Sequence, residues 1–167
     1  MLKPLTEEEL RLLNFLEENS NVTISELAKK MSMSEEKTAS LKKKLEEEEI
    51  ILKYRAIVNW EKIESPEVIA LIQVSVTPSK GSGYDDVAKQ ISELDEVSAC
   101  LLVSGSFDLL VEVVGPSLKD VAFFVAEKLA GLEGVEHTRT NFLLKRYKQA
   151  GDMFTVSRKT HRLPMMI

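Results

Sequence analysis

Near residue 65 the spacing of the apolar side chains changes. Before it they recur every three or four residues: Leu10, Leu13 and Leu16, then Ile24, Leu27, Ala28 and Met31, then Leu41 and Leu45, with Thr38 at the same helical spacing. That period is one face of an α-helix. After it, Val68 to Val76, Ala99 to Val114 and Val135 to Tyr147 are β-rich runs separated by helical stretches. A chain with this switch cannot be one helical bundle or one all-β sandwich. It has to be α+β, a small helical head ahead of a sheet with helices.

The head is sharply punctuated. Thr6 with Glu9, and Thr23 with Glu26, are capping boxes, a hydroxyl followed three residues on by a carboxylate. Ser34 caps a third helix, and Ser32-Met33 leaves only a tight turn before it. Two short helices joined in this way have the layout of a helix-turn-helix. Ile50 to Val58 is β-rich and is expected to form the wing of a winged helix. The expected boundaries are 1–60 for the head, 61–66 for a linker, 67–148 for the body and 149–167 for a tail.

The body reads βαββαβ, the ferredoxin-like order. Its strand runs and helices are expected at Val68 to Val76, Tyr84 to Leu94, Ala99 to Val114 as a hairpin, Ser117 to Leu129, and Val135 to Tyr147. The second helix is expected to bury Leu118, Val121, Phe124, Val125 and Leu129. One sheet face, with Leu71, Gln73 or Leu102, is left open and calls for a partner, most simply a second copy. The hairpin turn, Ser104 to Phe107 closed by Asp108, gathers hydroxyls, a glycine free to take positive φ, an aromatic ring and one carboxylate. Such a loop suits a small zwitterion.

Charge is unevenly spread. Residues 1–62 carry 11 basic and 13 acidic side chains, residues 63–144 carry 5 and 13, and residues 145–167 carry 6 and 1. A body this acidic does not favour phosphates, so contact with nucleic acid falls to the head or the tail. In the tail, Met153 to Val156 is expected to add an edge strand. The basic cluster Arg158 to Arg162 is expected either to stay unstructured or to dock on an acidic body. The single cysteine, Cys100, rules out a disulfide framework and a Cys-based metal site. No apolar run reaches the roughly 20 residues of a membrane span, and the first residues lack a signal-peptide core. No nucleophile–base pair, metal cluster or phosphate loop is present, so no catalytic residue, metal or cofactor is expected. A cytoplasmic, non-enzymatic protein is expected.

Two segments carry a family resemblance. The first is Leu27-Ala28, Met33-Ser34, Leu45-Glu46, Ile50-Ile51 and Tyr54; the second is Val103 to Leu110 followed by Gly134-Val135 and Thr138-Arg139-Thr140. Over residues 5–148 the chain resembles the Lrp/AsnC transcriptional regulators. The resemblance implies a head that binds double-stranded DNA and a body that self-associates as a dimer or larger homo-oligomer. It also implies a small effector, usually an amino acid, held at subunit interfaces. Carried onto this sequence, the effector site includes Ser104, Gly105, Ser106, Phe107 and Asp108, with Thr138 and Thr140 nearby. The DNA contacts expected from the helix-turn-helix are Ser34, Lys37, Ser40, Lys43 and Lys44, with Lys53 and Arg55 on the wing. The family usually has arginine where Leu41 stands and glycine where Glu49 stands. With Glu35 and Glu36, these departures favour an alternative: a metabolite-binding assembly protein whose winged helix no longer binds DNA specifically.

Overall fold

The computed structural model describes residues 4–64, 67–78, 81 and 83–154. The chain divides between Val58 and Asn59 into two compact units.

In the first unit, α1 (Glu7–Glu18), α2 (Ile24–Met31) and α3 (Glu35–Glu47) enclose Leu12, Leu16, Leu27, Met31 and Leu45. Each of these buried side chains contributes about 1.5–3 kcal/mol. Both capping boxes form, and the Ser34 hydroxyl accepts from the Lys37 amide. Leu10, by contrast, is about half exposed, off the buried stripe. Ser32 turns the chain between α2 and α3 in the left-handed conformation, φ 57°. The end of α3 closes in a Schellman motif: the Ile50 amide donates to Leu45 O and the Glu49 amide to Glu46 O. Beyond it, the expected wing strand is not formed. Residues 52–58 have neither helix nor strand, because the head offers no second apolar run to pair with them. Leu52 is left 83% exposed.

The second unit is built on β1 (Val68–Val76), α4 (Asp85–Ser92), β2 (Val97–Leu102), β3 (Leu109–Gly115), α5 (Leu118–Phe123) and β4 (Val135–Phe142). The sheet order is β2-β3-β1-β4, antiparallel where strands pair, which is the ferredoxin-like arrangement. Alternate residues of β1 and β3 (Ala70, Ile72, Val74 and Leu109, Val111, Val113) face the helices. They pack on Val87 and Ile91 of α4 and on Val121, Phe124 and Leu129. Gly134 turns into β4 at φ 90°, where a Cβ would meet Val87 Cγ2 at 2.9 Å, so glycine is needed on both counts.

Four expectations change here. The second helix runs as α only to Phe123 and continues as a π-helical segment, Phe124–Leu129. Phe124 and Leu129 stay inside, whereas Leu118, in the first turn of α5, is exposed and Phe123 is half exposed. Leu102 pairs with Leu109, which faces the helices, so Leu101 rather than Leu102 shares the open face with Leu110. Met153 does not extend the main sheet. It pairs with Lys148 in a separate two-stranded ribbon, β5 (Lys148–Gln149) and β6 (Asp152–Met153). Asn59, at the end of the expected head, donates to Phe154 O and belongs to the second unit. Phe154 is buried. The expectations placed on Thr155-Val156 and on the basic tail lie outside the described residues.

Candidate functional site

In α3, buried Thr38 and Leu45 mark the core side. At 100° per residue the opposite ridge is Glu36, Ser40, Lys43 and Glu47, all exposed. Lys37 and Lys44, seven positions apart, lie on the flank toward α1. Each makes an ion pair there: Lys37 Nζ with Glu8 Oε1 at 2.7 Å, and Lys44 Nζ with Glu9 Oε1 at 2.7 Å. Lys43 pairs with Glu47 at 3.4 Å, and Lys42 with Glu46 at 2.8 Å. Ser34 is committed to its cap. Lys53 and Arg55 are exposed on the extended run after α3.

Glu9 is the least expected member of this group. It is 1% exposed, and its second oxygen accepts from the Thr6 amide. The Lys44 ammonium first, and then the Thr6 amide, hold its carboxyl down at about 2. The capping box made Glu9 legible as a cap, but nothing local points to Lys44, 35 residues away. A second small cluster joins Lys42, Glu46 and Tyr54: the Tyr54 hydroxyl donates to Glu46 at 2.7 Å and Lys42 sits 4.8 Å from the ring centre. The Glu46 hydrogen bond raises the Lys42 pKa, and burial raises that of Tyr54.

In the body, the β2–β3 loop holds Ser104, Gly105 and Ser106 exposed, with Phe107 and Asp108 half-buried. Among the described residues, the amides of Ser104, Gly105, Ser106 and Phe107 donate to no protein acceptor. Gly105 does not take positive φ, contrary to expectation, and a Cβ on it would meet nothing within 4 Å. Glycine there satisfies no internal need; it leaves the loop backbone open to the outside. Asp108 is anchored in a way the sequence did not suggest. The β1–β3 ladder ends at Val74 and Leu109, and a register shift follows at Ser75/Val76. The Val76 amide then donates to Asp108 Oδ2 at 3.0 Å, and the Asp108 amide donates to Val74 O. A side chain thus continues the ladder where the strand has left it.

Thr138 and Thr140 pair with Val74 and Ile72 on the other side of β1. Two strand spacings, roughly 10 Å, separate them from the loop, so one chain does not bring them to Asp108. A shallow cleft of about 500 Å³ beside the end of β1 is lined by Thr77, Pro78, Asp86, Gln90 and Glu133 and by none of the loop residues.

The chain thus carries a helix-turn-helix head followed by a ferredoxin-like body with an open polar loop, the architecture a DNA-binding regulator with a ligand-binding domain would need. Comparison with known proteins agrees. The Lrp/AsnC ligand binding domain matches residues 69–153, and the MarR family matches the head over residues 5–56. The HTH-type transcriptional regulator YugG of Bacillus subtilis is 41% identical over 151 residues, covering 90% of this chain and 91% of that one. The leucine-responsive regulatory protein of Haemophilus influenzae is 28% identical over 147 residues, 88% of each. Among solved structures, transcriptional regulator NMB0573 of Neisseria meningitidis in complex with L-Met superposes with a TM-score of 0.68. It is 26% identical and covers 87% of this chain and 94% of that one. The chain belongs to the Lrp/AsnC family.

Proposed function

We propose that this regulator reads operator DNA with α3 and responds to an amino acid held by the Ser104–Asp108 loop at an interface between copies of the chain. The loop carries the proposal. Four amides that donate to no protein acceptor among the described residues are available to a carboxylate. Asp108, whose Oδ1 makes no hydrogen bond among the described residues, suits the ammonium. The side chains of Phe107 and of Leu102, the latter 59% exposed, supply apolar surface beside them. The Neisseria relative's complex with L-Met supports an apolar amino acid. Thr138 and Thr140, distant from the loop within one chain, fit this reading as contributions from a neighbouring copy. Ser34, Lys37, Ser40, Lys43 and Lys44, with Lys53 and Arg55, would meet phosphates and base edges. The protein would act in the cytoplasm as a dimer or larger homo-oligomer.

A thermal-shift screen of the twenty amino acids tests the effector half, since a ligand that binds only the folded form raises its melting temperature. An upward shift with an apolar amino acid is expected; no shift with any of the twenty would remove the effector reading. One observation favours a second reading, a metabolite-binding assembly protein without specific DNA binding: the outward ridge of α3 holds two carboxylates and one lysine. Gel shifts on the protein's own upstream region across a salt series separate the two. Preference for that region over unrelated DNA supports the regulator; equal, purely salt-controlled binding supports the alternative.

A further inference from the structure

The two ion pairs between α1 and α3 are not equivalent. Glu9 is buried, accepts from the Thr6 amide and belongs to the frame of the head. Glu8 does none of this. Its side chain is 50% exposed, that of Lys37 is 58% exposed, and the pair at 2.7 Å is the one hydrogen bond or ion pair that the Glu8 side chain makes among the described residues. Lys37 stands in the first turn of α3, the end of a recognition helix that enters the groove first. A surface carboxylate therefore already occupies the ammonium that a DNA phosphate would take.

We propose that Glu8 is an affinity-setting residue: an internal competitor of phosphate for Lys37 that holds DNA binding below what the lysines of α3 would otherwise give. The inference rests on Lys37 being a DNA contact. An exposed pair of this kind is worth little, so the competition is a trim and not a block. Its loss corresponds to about a two- to five-fold change in Kd for each head engaged.

The test is a double-mutant cycle on the full chain, with Kd measured at one fixed salt concentration on a short mixed-sequence duplex, since phosphate contact needs no operator. Glu8→Gln should tighten binding by that factor. Glu7→Gln removes the same charge one residue away without releasing Lys37, and should leave Kd unchanged. Lys37→Gln should weaken binding, and adding Glu8→Gln to it should give no gain. Thermal melts check that each variant folds, and substitutions at these exposed positions should barely move them. If Lys37→Gln weakens binding but Glu8→Gln has no effect, the competition is overturned while Lys37 keeps its role. A gain that survives in the Lys37→Gln background, or that Glu7→Gln matches, is a general charge effect and overturns the proposal too. If Lys37→Gln leaves binding unchanged, both the competition and the contact it rests on are refuted.

Discussion

Glu49 sits at φ 55° in the position where a Schellman motif favours glycine. A side chain there costs about 1 kcal/mol relative to glycine. Glu49→Gly should therefore raise the head's free energy of unfolding by about that amount, read as a higher urea midpoint at unchanged slope, and a lower midpoint would show that the glutamate makes an offsetting contact. Glu9 predicts a pH dependence. Its carboxyl lies at about 2 in the fold against 4.5 unfolded. A depressed carboxyl contributes stability that is complete above about pH 5 and is lost as the pH falls toward 2. In urea titrations Glu9→Gln should be less stable than the parent near neutrality, with the gap closing across that window. A gap independent of pH would mean that packing, and not charge, holds Glu9 in place.

The loop between β2 and β3 is an element with two jobs, and Asp108 separates them. As an acceptor it ties the loop to Val76 at the end of β1; as a charge it is available to a cation. Asp108→Asn keeps an acceptor and removes the charge. It should fold with nearly the parent's melting temperature and lose the amino-acid shift. Asp108→Ala loses both and should cost about 1.5–3 kcal/mol, the range for a hydrogen bond to a charged group. Equal melting of Asp108→Ala and the parent would show that the Val76 bond is not a structural tie. Gly105→Ala probes the same loop from outside. With open space around its Cβ, it should leave melting unchanged and weaken only the effector's shift.

At the scale of the whole molecule, the helices among the described residues cover one face of the sheet only. Leu71 and Gln73 of β1, with Leu110 of β3, lie half-buried on the other, beside Leu101, which is 53% exposed. Leu52, Ile57, Val58, Trp60 and Ile63 are exposed as well. So much apolar surface is normally buried by association. Leu110→Lys should lower the mass measured by sedimentation without unfolding the chain, and an unchanged mass would move the interface elsewhere.

Much of this was legible in the residues because it is local. Capping boxes, the 3.6-residue stripe and the βαββαβ order each depend on side chains a few positions apart, so the three helices of the head and the strands of the sheet could be read before any contact was seen. The wing could not: Ile50 to Val58 has strand composition, but a strand exists only where another pairs with it. Leu102 left the open face because a register shift between β2 and β3 pairs it with Leu109, and the second helix turns π after Phe123; no local pattern marks either. The candidate loop shows the same division. Its residue types announced a polar turn between apolar strands. Only the tertiary structure, by setting Val76 against Asp108 and Glu8 and Glu9 against Lys37 and Lys44, decided which charges are spent inside the fold. Partners so far apart in sequence are chosen by how the elements pack.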